Sequence, residues 1–233
     1  MFFLLNKTEI CLVDDFTFQH LKSHRVEVGQ KFLGTDLNGF AYECKLLIWD
    51  KKKEFAQYEV LQKIAKTTPL KDILVQAIPD KNYLDKLVEV ATLAVFTKII
   101  LFESKFSPKY TLNLERIQKI SLQAALLAEF VQLPTIEFHS FKSLKEDEIV
   151  TKNSIILSQH GKLAPDYKFV TENNQKYVWV GPEGGWSADE ESRFDELQMP
   201  KMSLAEGVIY PAWLAGSVWK IGEIKAESEK RNT

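Results

Sequence analysis

The sequence has few cysteines, no excess of basic charge and no long apolar run. Its two cysteines, Cys11 and Cys44, lack metal-ligand spacing, so we expect reduced packing residues, and no other cluster suggests a metal. The net charge of -2 gives no global sign of nucleic-acid binding, although a local basic patch could suffice. No window is apolar enough to span a membrane, and the apolar start is too short for a signal peptide, so we expect a cytoplasmic protein.

Common nucleotide-binding and nucleophile motifs are also absent. No lysine follows the glycines of residues 181–185, as a P-loop requires, and G-x-G-x-x-G does not occur. No serine, cysteine or histidine is arranged as an activated nucleophile. An unrelated phosphate- or nucleotide-binding enzyme is therefore the weakest hypothesis.

The chain divides into parts with different patterns. Residues 1–66 contain short strand candidates and a hairpin signal at Asp36-Leu37-Asn38-Gly39, which is typical of a small β-barrel. Residues 67–225 alternate strands and helices, which indicates a largely parallel sheet covered on both faces. Residues 226–233 form a polar tail.

A glycine-rich loop lies between a predicted strand and a predicted helix. Tyr177–Val180 is a buried strand candidate, Gly181–Gly185 is the loop, and Ser187 with Glu190 predicts a capping box. Ligands of open α/β sheets bind at the carboxyl ends of strands, where this loop falls. Glu183 disfavours a phosphate and suits a positive centre or hydroxyl groups. A tight structural turn is the alternative interpretation.

The segment from Trp179 to Glu190, W-V-G-P-E-G-G-W-S-A-D-E, resembles the I-G-P-E-G-G-F-S-x-x-E motif of the RsmE ribosomal RNA methyltransferases. That family belongs to the SPOUT superfamily and methylates a 16S ribosomal RNA uridine at N3. Residues 25–30, R-V-E-V-G-Q, are similar to its R-x-x-x-G-D/Q step. The resemblance implies an α/β fold class, with an N-terminal PUA-like β-barrel over 1–66 and a SPOUT domain with a trefoil knot over 67–225.

The same resemblance implies a site for S-adenosylmethionine that is formed largely by backbone atoms and completed in a homodimer. The substrate would be ribosomal RNA or the small ribosomal subunit, and Lys22, His24 and Arg25 are candidates for RNA binding. Methyl transfer would then depend on positioning and on a cation that stabilises the deprotonated base. The implied cofactor-binding residues are Leu157, Gly181, Glu183, Gly184, Gly185, Met202, Ser203 and Leu204.

Three polar motifs of the family are replaced in this chain. Gly207 and Tyr210 stand at the two arginine positions of L-G-x-R-I-L-R-x-E-T-A. Residues 90–95 differ from K-A-T-E-L-G, and residues 123–130 are apolar where the family has E-A-A-E-Q-S-x-R. A catalytically inactive SPOUT-fold protein that binds RNA, cofactor or a protein partner is therefore the alternative. Lys22, His24, Arg25, His160 and Lys162 could replace the arginines, although residues 160–162 could instead form a surface loop.

The apolar replacements also suggest a contact between two copies of the chain. Leu126, Leu127 and Phe130 could form packing surface at a dimer interface. Trp213 and Trp219 could belong to the same contact or to the ordinary core.

Overall fold

The chain folds into two compact units in a computed structural model that describes residues 3–5, 10–12, 15–50, 52–53, 55–66, 72–163, 175–204 and 212–222. Unit 1 comprises Met1–Pro69 and Leu122–Leu133, and unit 2 comprises Leu70–Ser121 and Pro134–Thr233. The sequence prediction did not assign the segment Leu122–Leu133 to the first part. Within the described ranges, none of the helices has the length and apolarity needed to cross a membrane.

Unit 1 is built on a five-stranded sheet with the order β1-β3-β4-β5-β2. Strands β3, β4, β5 and β2 pair antiparallel in that order, and β1 pairs parallel with β3. The predicted hairpin turn joins β3 to β4, and the Asn38 amide donates to Asp36 Oδ1 at 2.9 Å. The elements of this part are β1 (Phe3–Leu4), β2 (Ile10–Leu12), α1 (Asp15–Ser23), β3 (Lys31–Thr35), β4 (Phe40–Asp50) and β5 (Phe55–Lys66).

Helix α1 corrects the sequence prediction, which described residues 1–66 by strands alone. Phe18 and Leu21 of this helix are fully buried, because a spacing of three residues puts both on one helical face. Phe18 stacks on Trp49 of β4 with ring centroids 4.8 Å apart. Cys44 is buried in the same cluster. Helix α1 therefore supplies part of the core of unit 1.

The segment Leu122–Leu133 contributes a second, smaller cluster to unit 1. Leu126 is fully buried beside Ala41 and Val131, and the Gly39 amide donates to the Val131 carbonyl at 2.7 Å. The suggestion that Leu126 lies at a dimer surface is therefore wrong, because its own chain covers it. Leu127 is 66% exposed.

Unit 2 contains a six-stranded sheet with the order β11-β9-β10-β6-β7-β8, and every neighbouring pair is parallel. This confirms the predicted α/β class and the parallel sheet. The strands are β6 (Ile73–Ala77), β7 (Lys98–Glu103), β8 (Thr135–Ser140), β9 (Ser154–Leu163), β10 (Tyr177–Val180) and β11 (Lys201–Ser203). The helices are α2 (Lys81–Leu93), α4 (Phe141–Glu146), α5 (Glu148–Lys152), α6 (Ala188–Glu196), a 3-10 turn at Ala212–Leu214 and α7 (residues 215–222). Helix α3 (Leu114–Leu127) begins in unit 2, and its residues from Leu122 on belong to unit 1.

Both faces of this sheet are covered, as continuous apolar strands require. Val178 and Val180 belong to one core cluster with Trp213 and Trp219, whereas Trp179 belongs to the cluster on the opposite face. Trp213 and Trp219 are 7% and 8% exposed, so they are ordinary core residues.

Helix α7 lies directly on strand β6. Lys220 forms an ion pair with Asp72, and both residues are buried. The amide of Lys176 also donates to Asp72 Oδ1, at 3.2 Å. A Cβ atom on Gly216 would lie 2.5 Å from Leu74 Cδ1, so glycine permits the close approach of the helix to the strand.

Candidate functional site

The glycine-rich loop leaves the carboxyl end of β10 as a tight turn. The Gly185 amide donates to the Pro182 carbonyl at 2.9 Å, and Gly185 has φ of 73°, which favours glycine. A Cβ atom on Gly181 would lie 3.1 Å from the Trp186 ring, and one on Gly184 would lie 3.3 Å from Phe106 Cβ. The backbone of the two glycines therefore lies close to the Trp186 and Phe106 side chains, and Glu183 is exposed to solvent.

The predicted capping box forms at the start of α6. The Ser187 side chain accepts a hydrogen bond from the Glu190 amide, and Glu190 Oε2 accepts from the Ser187 amide at 2.8 Å. Glu190 Oε1 accepts a third bond from the Lys105 amide at 3.1 Å. Through these hydrogen bonds, the buried carboxylate of Glu190 links the start of α6 to the loop after β7.

We expect Glu190→Ala to lower the free energy of unfolding by about 2 kcal/mol, because it removes a charged acceptor of several hydrogen bonds and a helix cap. Urea unfolding followed by tryptophan fluorescence measures the change. The control is Asp189→Ala in the same helical turn. Asp189 pairs with Lys105 but its side chain is 85% exposed, so its loss should cost less than about 1 kcal/mol. Equal effects of the two changes would contradict the prediction.

Trp186 joins the loop to the neighbouring strand. Its Nε1 donates to the Leu157 carbonyl of β9 at 3.3 Å. Its ring stacks on Phe102 at an interplanar angle of 9° and meets Phe194 edge-on, with centroids 4.8 Å apart. These contacts hold the loop after β10 beside the middle of β9.

Strands β9 and β11 pair with a shift of register. Lys201 is opposite Ile156, whereas Met202 is opposite Lys162, so residues 157–161 of β9 bulge away from the regular ladder. His160 lies in this bulge, and its amide donates to Ser158 Oγ at 3.2 Å. Residues 160–162 therefore lie within β9 rather than in a separate loop, and His160 is exposed in its bulge.

A cavity of about 300 Å³ lies at the carboxyl ends of β9, β10 and β11. Its volume is at the lower end of the range for small-molecule sites. All eight residues that the sequence resemblance implies for cofactor binding line it. The other lining residues, several of which the sequence prediction missed, are Ser158, Gln159, His160, Val180, Pro182, Trp186, Glu191, Ala212 and Ala215.

A model of the RNA methyltransferase domain family matches residues 66–209. The chain belongs to this family. This match confirms the predicted resemblance to RNA methyltransferases of the RsmE type. The solved structures that follow confirm that the fold is the same. No curated protein matches the chain.

Several solved structures share the fold over almost the whole length of this methyltransferase. The ribosomal RNA small subunit methyltransferase E of Neisseria gonorrhoeae, bound to S-adenosyl methionine, has a TM-score of 0.81, 19% identity and coverage of 94% of each chain. A putative methyltransferase of Legionella pneumophila with bound SAM has a TM-score of 0.81, 14% identity and coverage of 97% of this chain and 96% of its own. A probable rRNA-methyltransferase of Porphyromonas gingivalis has a TM-score of 0.79, 18% identity and coverage of 94% and 93%.

The cavity of the methyltransferase is lined by two carboxylates, Glu183 and Glu191, and by His160. Lys201 Nζ lies 2.5 Å from Glu191 Oε2 and 2.8 Å from Asp195 Oδ1. Burial lowers the pKa of Lys201, but the hydrogen bonds to Asp195 and Glu191 outweigh it, so the pKa is raised. Lys201 therefore remains charged and fixes the Glu191 carboxylate at the cavity wall.

The described lining of this cavity contains no counterpart to the family arginines. No lysine or arginine is among the described lining residues. Gly207 and Tyr210, which replace the family arginines, lie outside the described residues, as does the side chain of Lys162. Among the described residues, no group of three or more potential metal ligands occurs.

The three candidates for RNA binding belong to unit 1. Lys22 lies in the last turn of α1, and His24 and Arg25 follow it. All three are exposed, and Arg25 has φ of 54°. The ring of His24 meets Phe3 edge-on with centroids 6.0 Å apart. The structure thus groups these side chains on one exposed segment.

Proposed function

We propose that this protein is an S-adenosylmethionine-dependent ribosomal RNA methyltransferase of the RsmE type, which methylates N3 of a uridine in 16S ribosomal RNA. The observation that carries the proposal is the convergence of the eight implied residues on one cavity. The cofactors named for the Neisseria and Legionella structures of the same fold support the choice of cofactor.

The residues of the cavity suit this cofactor. Glycine at positions 181 and 184 keeps the wall free of side-chain atoms where a Cβ atom would already crowd Trp186 or Phe106. Backbone groups of residues 181–185 and 202–204 would hold the cofactor, and the carboxylates of Glu183 and Glu191 suit its positive charge and hydroxyl groups. When bound, S-adenosylmethionine supplies a methyl group on a positively charged sulfur.

We further propose that the carboxyl-terminal part forms the trefoil knot and that unit 1 is a PUA-like domain that binds RNA. The strand order supports the knot, because the chain passes from β10 beyond β9 to β11 and then returns with α7 to β6. The exposed group of Lys22, His24 and Arg25 supports RNA binding, since phosphates attract basic side chains.

A homodimer that forms through α7 is part of the proposal. Val218 and Ile221 are 40% and 58% exposed, and their spacing puts them on one face of the helix. We expect light scattering after gel filtration to show a dimer for the unchanged protein and a monomer for the double variant Val218→Glu, Ile221→Glu. The control, Leu93→Glu, changes an equally exposed leucine on α2 and should leave the dimer intact. A dimer in both variants would refute an interface at α7.

Methyl transfer tests the proposed function directly. The purified protein is incubated with S-adenosylmethionine and with small-subunit RNA from cells that lack their own uridine-N3 methyltransferase. Digestion and mass spectrometry should reveal N3-methyluridine. Cofactor binding without any methylated nucleoside would instead favour the alternative of an inactive protein that binds RNA or cofactor.

A further inference from the structure

A second cavity of about 450 Å³, more open to solvent than the first, lies in unit 2 beside the glycine-rich loop. It follows the carboxyl ends of β6 and β7, and Glu183 lines both this cavity and the first one. Gly184 also faces Phe106, which belongs to the second cavity. The loop of residues 181–185 therefore lies between the two cavities. The second cavity is lined by Asp80, Asn82, Tyr83, Phe106, Pro108 and Glu183.

The lining combines flat apolar surfaces with polar groups. Phe106 is 51% exposed, so its side chain is accessible to a ligand in this cavity. Asp80 is fixed as the N-cap of α2, since its Oδ1 accepts from the Asn82 amide at 2.9 Å. The Asn82 side chain offers both donors and an acceptor. An aromatic face beside amide and carboxylate groups is the typical arrangement for an unstacked nucleobase.

The charge of this cavity disfavours an anionic ligand. Asp80 and Glu183 are carboxylates, and the lining contains no lysine or arginine within the described residues. The neighbouring Tyr110 donates to the Pro79 carbonyl at 2.8 Å. Burial raises the pKa of Tyr110 to about 12, with further contributions from Asp80 and Glu183. The phenol therefore stays neutral, and the cavity repels phosphate but accepts an uncharged base.

We propose that the second cavity binds the nucleobase to be methylated, with Phe106 as its stacking surface and Glu183 as the base that takes the N3 proton. N3 then accepts the methyl group from the sulfonium, whose sulfur becomes neutral. The proposal rests on the proposed function, because it assumes that the methyl donor occupies the first cavity. Glu183 lines both cavities, so a base bound to it lies beside the donor. Such placement is the main requirement of the reaction. The side-chain amide of Asn82 would form hydrogen bonds with the edge of the base.

Phe106→Ala tests the stacking surface. Loss of base stacking corresponds to about 1–3 kcal/mol, so we expect kcat/KM for RNA to fall by about 5-fold to 150-fold. The dissociation constant for S-adenosylmethionine should not change. Phe106→Trp should retain activity because it keeps an aromatic face. The control is Leu114→Ala, which truncates a residue of similar exposure, 47%, outside both cavities.

A second measurement does not depend on activity. Saturation-transfer NMR with uridine, on protein saturated with S-adenosylhomocysteine, should show contact with the base protons in the unchanged protein and not in Phe106→Ala. Unchanged methylation in Phe106→Ala, or no uridine signal in the unchanged protein, would overturn the inference and leave the proposed function intact. Failure of the unchanged protein to bind S-adenosylmethionine would overturn both.

Discussion

Replacing Lys220 with methionine is expected to lower the free energy of unfolding of unit 2 by about 3–5 kcal/mol. Asp72 and Lys220 are 4% and 9% exposed, so the remaining carboxylate would be buried without its cation. One hydrogen bond from the Lys176 amide would not compensate for a buried charge. The ion pair joins α7 to the start of β6, and its loss should loosen the covering of the sheet.

The matched control is Lys98→Met, which breaks another pair between a lysine and a carboxylate, at the surface. Lys98 Nζ lies 2.8 Å from Glu137 Oε1, and the two side chains are 32% and 37% exposed. Loss of this exposed pair should lower the free energy of unfolding by less than about 1 kcal/mol. Urea unfolding read by tryptophan fluorescence suits unit 2, which contains every tryptophan except Trp49. Equal losses in Lys220→Met and Lys98→Met would contradict the prediction.

Gly161→Ala is expected to weaken cofactor binding by about tenfold or more and to lower stability by about 1–3 kcal/mol. A Cβ atom at this position would lie 2.4 Å from the Met202 amide nitrogen and 2.6 Å from the Lys201 carbonyl carbon. Backbone cannot move aside as a flexible side chain can. The strand pair β9 and β11 would therefore separate where both strands line the cavity.

Calorimetric titration with S-adenosylmethionine and thermal unfolding measure the two effects of Gly161→Ala. The control is Gly222→Ala at the end of α7, where an added Cβ atom has no neighbour within 4 Å. That variant should keep the affinity and stability of the unchanged protein. Unchanged affinity in Gly161→Ala would show that the cofactor does not depend on the β9–β11 pair.

Local patterns were sufficient to predict the centre of unit 2. The buried strand, the glycine-rich turn and the capping box between Ser187 and Glu190 all depend on residues close together in the sequence. The same holds for the hairpin turn at Asp36–Gly39. The alternation of strands and helices also predicted a parallel sheet, because buried parallel strands are continuously apolar.

Features that depend on distant residues could not be predicted in the same way. The register shift that puts His160 in the bulge of β9 depends on pairing with β11, about forty residues later in the chain. The second cavity likewise combines Asp80, Phe106 and Glu183 from three separate loops. Glu191, which lines the first cavity, is likewise paired with Lys201, ten residues later in the chain. Helix α1 was missed although Phe18 and Leu21 have helical spacing, a signal that was available in the sequence.

Calorimetric titration of the unchanged protein with S-adenosylmethionine tests the central claim most directly. The cavity at the ends of β9, β10 and β11 predicts one binding event per chain with micromolar affinity. It also predicts that this event is weakened in Gly161→Ala and unaffected in Phe106→Ala. Absence of binding at millimolar cofactor would contradict the assignment of the cavity to S-adenosylmethionine.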